Sequence, residues 1–160
     1  MEQQEILTLL QQVAEGSMTP QQAELQLKMA PFEDLGFAKL DHHRALRQGV
    51  AEVIYGAGKT PEQIRAIARA MLARGQRTVL ITRMSAEAAA AMEGLPFRYD
   101  PLSRVGIAGT LPEPDGHGTI LIATGGTSDQ PVAEEAALTA EALGNRVVRL
   151  YDVGVAGLHR

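Results

Sequence analysis

The chain has 160 residues, 45% of them hydrophobic and 21% charged, the composition of an ordinary globular protein of one medium or two small domains. Its net charge of −4 argues against a general nucleic-acid binder, no apolar run approaches the roughly 20 residues that cross a bilayer, and the opening MEQQEILTLLQQ lacks the basic start of a secretory signal. There is no Cys, which excludes disulfides, thiolate zinc sites and a Cys nucleophile within these residues, so the expectation is a cytoplasmic protein that partners neither nucleic acid nor membrane.

Residues 3 to 15 place Ile6, Leu7, Leu9, Leu10 and Val13 on one helical face. A second helix restarts with Thr19 as N-cap, Pro20 at its first position and Gln22 three residues after the cap, the pattern of a capping box. Pro31 stops it. Residues 1–31 therefore read as a helical hairpin, a packing or oligomerisation module. The next stretch, PFEDLGFAKLDHHRALRQG, is polar and dense in ionisable groups. AEVIY then reads as a short buried strand. Thr60, Pro61 and Gln63 repeat the capping pattern before a helix whose apolar face is Ile64, Ile67, Ala68, Met71 and Leu72, closed by Gly75. RTVLITR is a strand, SAEAAAAMEG a short helix ending at Gly94, and FRYD and RVGIAG two further strands. Residues 109 to 118 form a linker rich in Gly and Pro. TILIA is a strand, QPVAEEAALTAEALG a helix closed by Gly144, and RVVRLYDVG a last strand. Strands alternating with helices predict an α/β fold with parallel strands.

Four stretches carry residues suited to chemistry. In LIATGGTSDQPVAEEA a strand runs through Gly125, Gly126, Thr127, Ser128 and Asp129 into a helix. Glycines let a ligand approach the backbone, the helix N-terminus favours an anion, and Ser128 or Asp129 can cap the helix. The alternative is a plain turn and cap. YGAGKT is not a Walker loop, because the Gly required five residues before Gly58 is Val53. Lys59 is there either to meet a phosphate or as a solvated lysine at a turn. In DHHRALRQG, the adjacent His42 and His43 point in different directions, which disfavours zinc. Arg44 and Arg47 share a helical face that can hold a phosphate or carboxylate, or simply face solvent. YDVGVAGLHR brings Asp152, His159 and Arg160 to a strand end, where open α/β sheets place their sites.

ATGGTSDQPVAEEA followed by YDVGVAGLHR resembles the start of the PurE-type fold of aminoimidazole ribonucleotide carboxylases and mutases. Gly125, Ser128 and Asp129 match its Gly-Ser-x-Ser-Asp element, with Gly126 in place of the first Ser, and His159 and Arg160 match its Ala-His-Arg element. Upstream, DLGFAKLDHHRALRQGVAEVIYGAGKTPEQI resembles the amino-terminal domain of the LarB family, the pyridinium-3,5-biscarboxylic acid mononucleotide synthases. The resemblance runs from about residue 32 to the end.

After the helical hairpin (1–31), it implies an α/β fold: an α/β domain (32–110) and the first strand–helix–strand of a flavodoxin-like, three-layer parallel sheet domain (118–160). It implies a step of nickel-pincer nucleotide biosynthesis, in which CO₂ is added to the pyridinium ring of nicotinic acid adenine dinucleotide and the phosphoanhydride is hydrolysed to release AMP. In the family a Cys adds to the ring and a Glu accepts the ring proton. Both lie in a later part of the PurE-like domain. The chain is therefore expected to be a truncated LarB-type protein with half of the nucleotide cradle and no catalytic residue of its own. Gly125, Gly126, Thr127, Ser128 and Asp129 are expected to hold phosphate and ribose. His159 and Arg160 would face the ring or its carboxylate, Asp152 would line the site, and Arg44, Arg47 and Lys59 would serve the adenylate. Nicotinic acid adenine dinucleotide and CO₂ are the expected substrates. No cofactor is expected to be tightly bound, and Mg²⁺ would accompany the substrate phosphates. PurE-type domains form octamers, so a homo-oligomer is expected, smaller for this chain. The alternatives are an inactive fragment that only binds a nucleotide, a PurE-like carboxylase or mutase, and a structural role for the hairpin.

Overall fold

The computed structural model describes residues 3–29, 32–41, 44 and 49–154. Its two units are Met1–Glu52 and Val53–Arg160.

In the first unit, α1 (Gln3–Ala14) packs on α2 (Pro20–Met29). The Thr19 N–H donates to Gln22 Oε1 at 2.9 Å and the Gln22 N–H to Thr19 Oγ1 at 3.2 Å, so the predicted capping box forms. Leu9 and Ala23 are buried, whereas Leu7, Leu10 and Leu25 stay exposed. The polar stretch that follows contains an antiparallel hairpin of β1 (Phe32–Asp34) and β2 (Lys39–Asp41). Its turn closes through Gly36, at φ 82°, whose N–H donates to Asp34 Oδ1 at 2.7 Å. The Asp41 N–H is held by the Glu52 carboxylate at 2.9 Å.

The second unit begins with β3 (Ile54–Tyr55) and α3 (Pro61–Ala73). Thr60 and Gln63 form a second capping box, and α3 buries Ile64, Ile67, Ala68 and Met71. Gly75, at φ 90°, ends it as expected. Then come β4 (Thr78–Thr82), α4 (Ala86–Ala90, capped by Ser85), β5 (Phe97–Asp100) and β6 (Val105–Gly109). These strands lie in the order β3-β4-β6-β5. The sequence led to parallel strands throughout, but only β3 and β4 are parallel here. β6 is antiparallel to both β4 and β5. The cause is local. Residues 101–104 join β5 to β6 directly, with Asp100 accepting from the Ser103 N–H at 2.8 Å, and so short a connection permits only a hairpin.

β7 (Thr119–Ala123), α5 (Gln130–Ala142) and β8 (Arg146–Leu150) form a strand–helix–strand unit with parallel strands, as expected. On one side, Leu138 and Ala142 of α5 join Leu80 of β4 and Val105 and Ile107 of β6 in a buried cluster. α5 also contacts β7 and β8. One helix therefore serves two sheets. On the outer face of the β7–β8 pair, Leu121, Val148 and Leu150 remain exposed. The whole is α/β, and no described helix is long and apolar enough to cross a membrane.

Candidate functional site

β7 and β8 are parallel and in register, so their carboxyl ends lie side by side. Beyond them the backbone is laced together. The Thr124 N–H donates to the Leu150 carbonyl at 3.1 Å, the Val153 N–H to the Thr124 carbonyl at 3.0 Å, and the Gly154 N–H to the Gly125 carbonyl at 3.0 Å. Thr124 is buried, and its Oγ1 accepts the Asp152 N–H at 3.1 Å. Asp152 sits in the left-handed region at φ 56°. The two sequence stretches singled out for chemistry, GGTSD and YDVG, are thus one structural feature. Arg83, at the end of β4, adds a link at 3.3 Å to Glu135 of α5.

After Gly126 the chain makes a single 3₁₀ turn, Thr127–Asp129, and enters α5 with Pro131 near its start. Thr127, Ser128 and Asp129 are exposed. The expected side-chain cap is not made: among the described residues, no side chain caps α5. The Asp129 carboxylate instead reaches back to accept the Gly126 N–H at 3.2 Å. That bond tightens the turn and leaves the first N–H groups of the helix without a side-chain acceptor. Gly126 has an ordinary extended backbone at φ −147°, and a Cβ there would meet no described atom within 4 Å.

Of the other candidates, Lys59 and Arg44 are among the described residues. Lys59 follows β3, and its ammonium donates to the Tyr55 carbonyl at 2.8 Å, folding back on its own loop. Arg44 is exposed and belongs to the first unit. Arg47, His159 and Arg160, like His42 and His43, fall outside the described residues. Among the described residues, no group of three or more His, Asp or Glu side chains could hold a metal ion.

Sequence reasoning missed the ion cluster beneath the site. The Arg149 guanidinium forks onto Glu134, with Nε 3.0 Å and Nη2 2.8 Å from its carboxylate oxygens, and gives Nη1 to Glu141 at 2.6 Å. The Tyr151 hydroxyl donates to the same Glu134 carboxylate at 2.8 Å. The Arg149 hydrogen bonds, more than any other influence, hold Glu134 below the ordinary carboxylate range. Those of Glu141 and Glu134 hold Arg149 charged. Burial first, then the neighbouring Glu134, raises the Tyr151 phenol above its usual value. The i, i+7 spacing of Glu134 and Glu141 on one helix face was the available signal. Their partner is a strand residue 15 and 8 positions away, which no local pattern marks.

Residues 32–109 match the family model described as the LarB/PurE-like N-terminal domain. An uncharacterized protein of Methanocaldococcus jannaschii is 32% identical over 153 residues, an alignment covering 91% of this chain and 60% of that protein. The chain thus spans about three fifths of that relative's length. Residues 32–109 thus form a LarB/PurE-like N-terminal domain, and through it the chain is related to the LarB family.

Proposed function

We propose that this chain binds the nicotinic acid adenine dinucleotide used by a LarB-type carboxylating synthase in nickel-pincer nucleotide biosynthesis. The observation that carries the reading is the open turn at the end of β7. Among the described residues, nothing in conformation or packing requires glycine at 126 and no side chain caps the start of α5, while Asp152 is tied in alongside. Such a turn suits a phosphate, which takes its hydrogen bonds from backbone N–H groups in the field of the helix.

In this reading the backbone of Gly125 and the Thr127 and Ser128 hydroxyls meet a phosphate, and Gly126, whose N–H is given to Asp129, lets it approach closely. Asp129 keeps free lone pairs besides the one on Gly126, and these accept ribose hydroxyls. Asp152 borders the same cradle, and His159 and Arg160 face the pyridinium ring or its carboxylate. Lys59 retains two ammonium protons besides the one given to Tyr55, and with Arg44 and Arg47 it serves the adenylate. Mg²⁺ would accompany the phosphates. These 160 residues hold no Cys, so the covalent step implied by the resemblance is not theirs, and their part is binding. The reading includes a cytoplasmic homo-oligomer. The exposed Leu121, Val148 and Leu150 support it, because parallel strands are normally covered on both faces.

The test is calorimetric titration of the dinucleotide, paired with mass spectrometry after incubation with ¹³C-bicarbonate. Saturable binding, weakened by Asp129→Ala and without labelled product, is the expected result. Labelled biscarboxylated mononucleotide and AMP would overturn the assignment of a binding role alone. Absence of binding would overturn the reading itself.

A further inference from the structure

Glu134 lies on α5 four residues beyond its start, and Tyr151 is the last residue before Asp152. Their 2.8 Å hydrogen bond joins the helix that leaves the glycine turn to the strand end that borders it. The bond from the Asp152 N–H to Thr124 Oγ1, 3.1 Å long, joins that strand end to the residue before Gly125. The chain from Gly125 through the turn to Glu134, across to Tyr151, on to Asp152, across to Thr124 and back to Gly125 is a closed ring. These two hydrogen bonds hold the turn and the Asp152 loop from the helix side, beside the backbone bonds from Val153 to Thr124 and from Gly154 to Gly125.

Arg149 fixes the hinge point of this ring. Its planar fork sets both the position and the orientation of the Glu134 carboxylate, and its third contact anchors it one helical stretch away on Glu141. The side chains are only partly buried, at 30% exposure for Arg149, 17% for Glu134 and 24% for Glu141. Ion pairs this accessible add little to global stability, whereas a bidentate fork adds directional constraint. The other residues of β7 and β8 in register on this side, Ile120, Ile122 and Val147, are apolar. A charged cluster at the position nearest the strand ends is therefore a departure from an otherwise apolar pattern.

We propose that Arg149, Glu134 and Tyr151 are positioning residues for the nucleotide turn, holding Gly125–Asp129 and Asp152 in the geometry that receives phosphate and ribose. The inference rests on the binding role proposed above for that turn, and it goes beyond it by assigning residues that need not touch the ligand. None of the three is replaceable by charge alone. Lysine at 149 keeps the charge but cannot fork, and phenylalanine at 151 keeps the ring but loses the link.

The experiment uses Arg149→Lys and Tyr151→Phe in the full chain, with two readouts. The first is the backbone amide NMR spectrum without ligand. The second is the Kd for nicotinic acid adenine dinucleotide by calorimetry. The expected result is displaced amide signals at Thr124, Gly125, Gly126 and Asp152 in both variants. The Kd should rise about tenfold, as expected for misplaced binding groups, with the melting temperature nearly unchanged. Unmoved amides at those four positions, or moved amides with an unaltered Kd, would overturn the proposal. If the wild type binds no dinucleotide, the binding reading fails, and the amide spectra still decide whether the ring shapes the strand ends. Should Arg149→Lys not fold, Tyr151→Phe removes one hydroxyl and carries the same test.

Discussion

The second unit contains two junctions built on the same plan, a strand, a glycine turn and a helix. β3 leads through GAGKT into α3, and β7 leads through GGTSD into α5. Their sequences are alike, but their structures differ in how much of the turn is already used. In the first, every special residue has an internal task. A Cβ on Gly56 would lie 2.9 Å from the Thr82 carbonyl oxygen, and Gly58 sits at φ 79°. Thr60 and Gln63 cap the helix, and Lys59 satisfies the Tyr55 carbonyl. In the second, among the described residues, a Cβ on Gly126 would meet nothing within 4 Å, no side chain caps the helix, and three consecutive polar residues face solvent. A closed turn explains its own residues. An open one leaves residues that the described fold does not employ, and the proposed ligand is assigned there for that reason.

Adding the same methyl group to each turn gives the largest expected contrast. Gly56→Ala drives a Cβ into backbone, which cannot swing away, and should cost about 1–3 kcal/mol in urea-unfolding stability. Gly126→Ala should leave the unfolding midpoint within the scatter of a surface substitution, yet weaken dinucleotide binding about tenfold by blocking close approach. Equal stability losses at both positions would erase the contrast. The caps sharpen it further. Thr60→Ala should cost roughly 1 kcal/mol, the usual value of an N-cap side chain, while Ser128→Ala should leave stability unchanged, because no side chain caps α5. Urea denaturation of the pair measures both.

The smallest expected effect concerns acid. Glu134 has its carboxyl held down by Arg149, so its contribution is complete above the ordinary glutamate value of about 4.3 and is lost as pH falls through the lower folded value. Glu134→Gln should flatten the stability profile in that window and leave the slope between pH 6 and 8 unchanged. Thermal melts from pH 3 to 8 decide the matter. The raised Tyr151 phenol works in the opposite sense. Its contribution is complete below its ordinary value of about 10 and fades only at more alkaline pH.

What was legible in the sequence was mostly local. Both capping boxes, the helix-ending Gly75 and Gly144, and the alternation of strands and helices follow from neighbours three or four residues apart. The hairpin of β1 and β2 was not legible, because its strands are only three residues long and are crowded with charge. Strand direction in the β3-β4-β6-β5 sheet departs from the parallel expectation because it turns on four residues, 101–104, that join two strands directly. At the site, the composition of the turn was legible, but not the use of its residues. Asp129 looked like a helix cap, but the 3₁₀ turn places its carboxylate over the Gly126 N–H. Arg149 was unreadable for the opposite reason, since its meaning lies in two glutamates that only the fold brings to it.

The central claim is that the open turn before α5, and not the closed turn before α3, receives a nucleotide phosphate. The most direct measurement is calorimetric titration of nicotinic acid adenine dinucleotide into the wild type, Gly126→Ala and Lys59→Met. The account predicts saturable binding to the wild type, a Kd about tenfold higher for Gly126→Ala and a smaller change for Lys59→Met. Binding abolished by Lys59→Met and untouched by Gly126→Ala would contradict it, because the ligand would then belong to the turn whose residues the fold already employs.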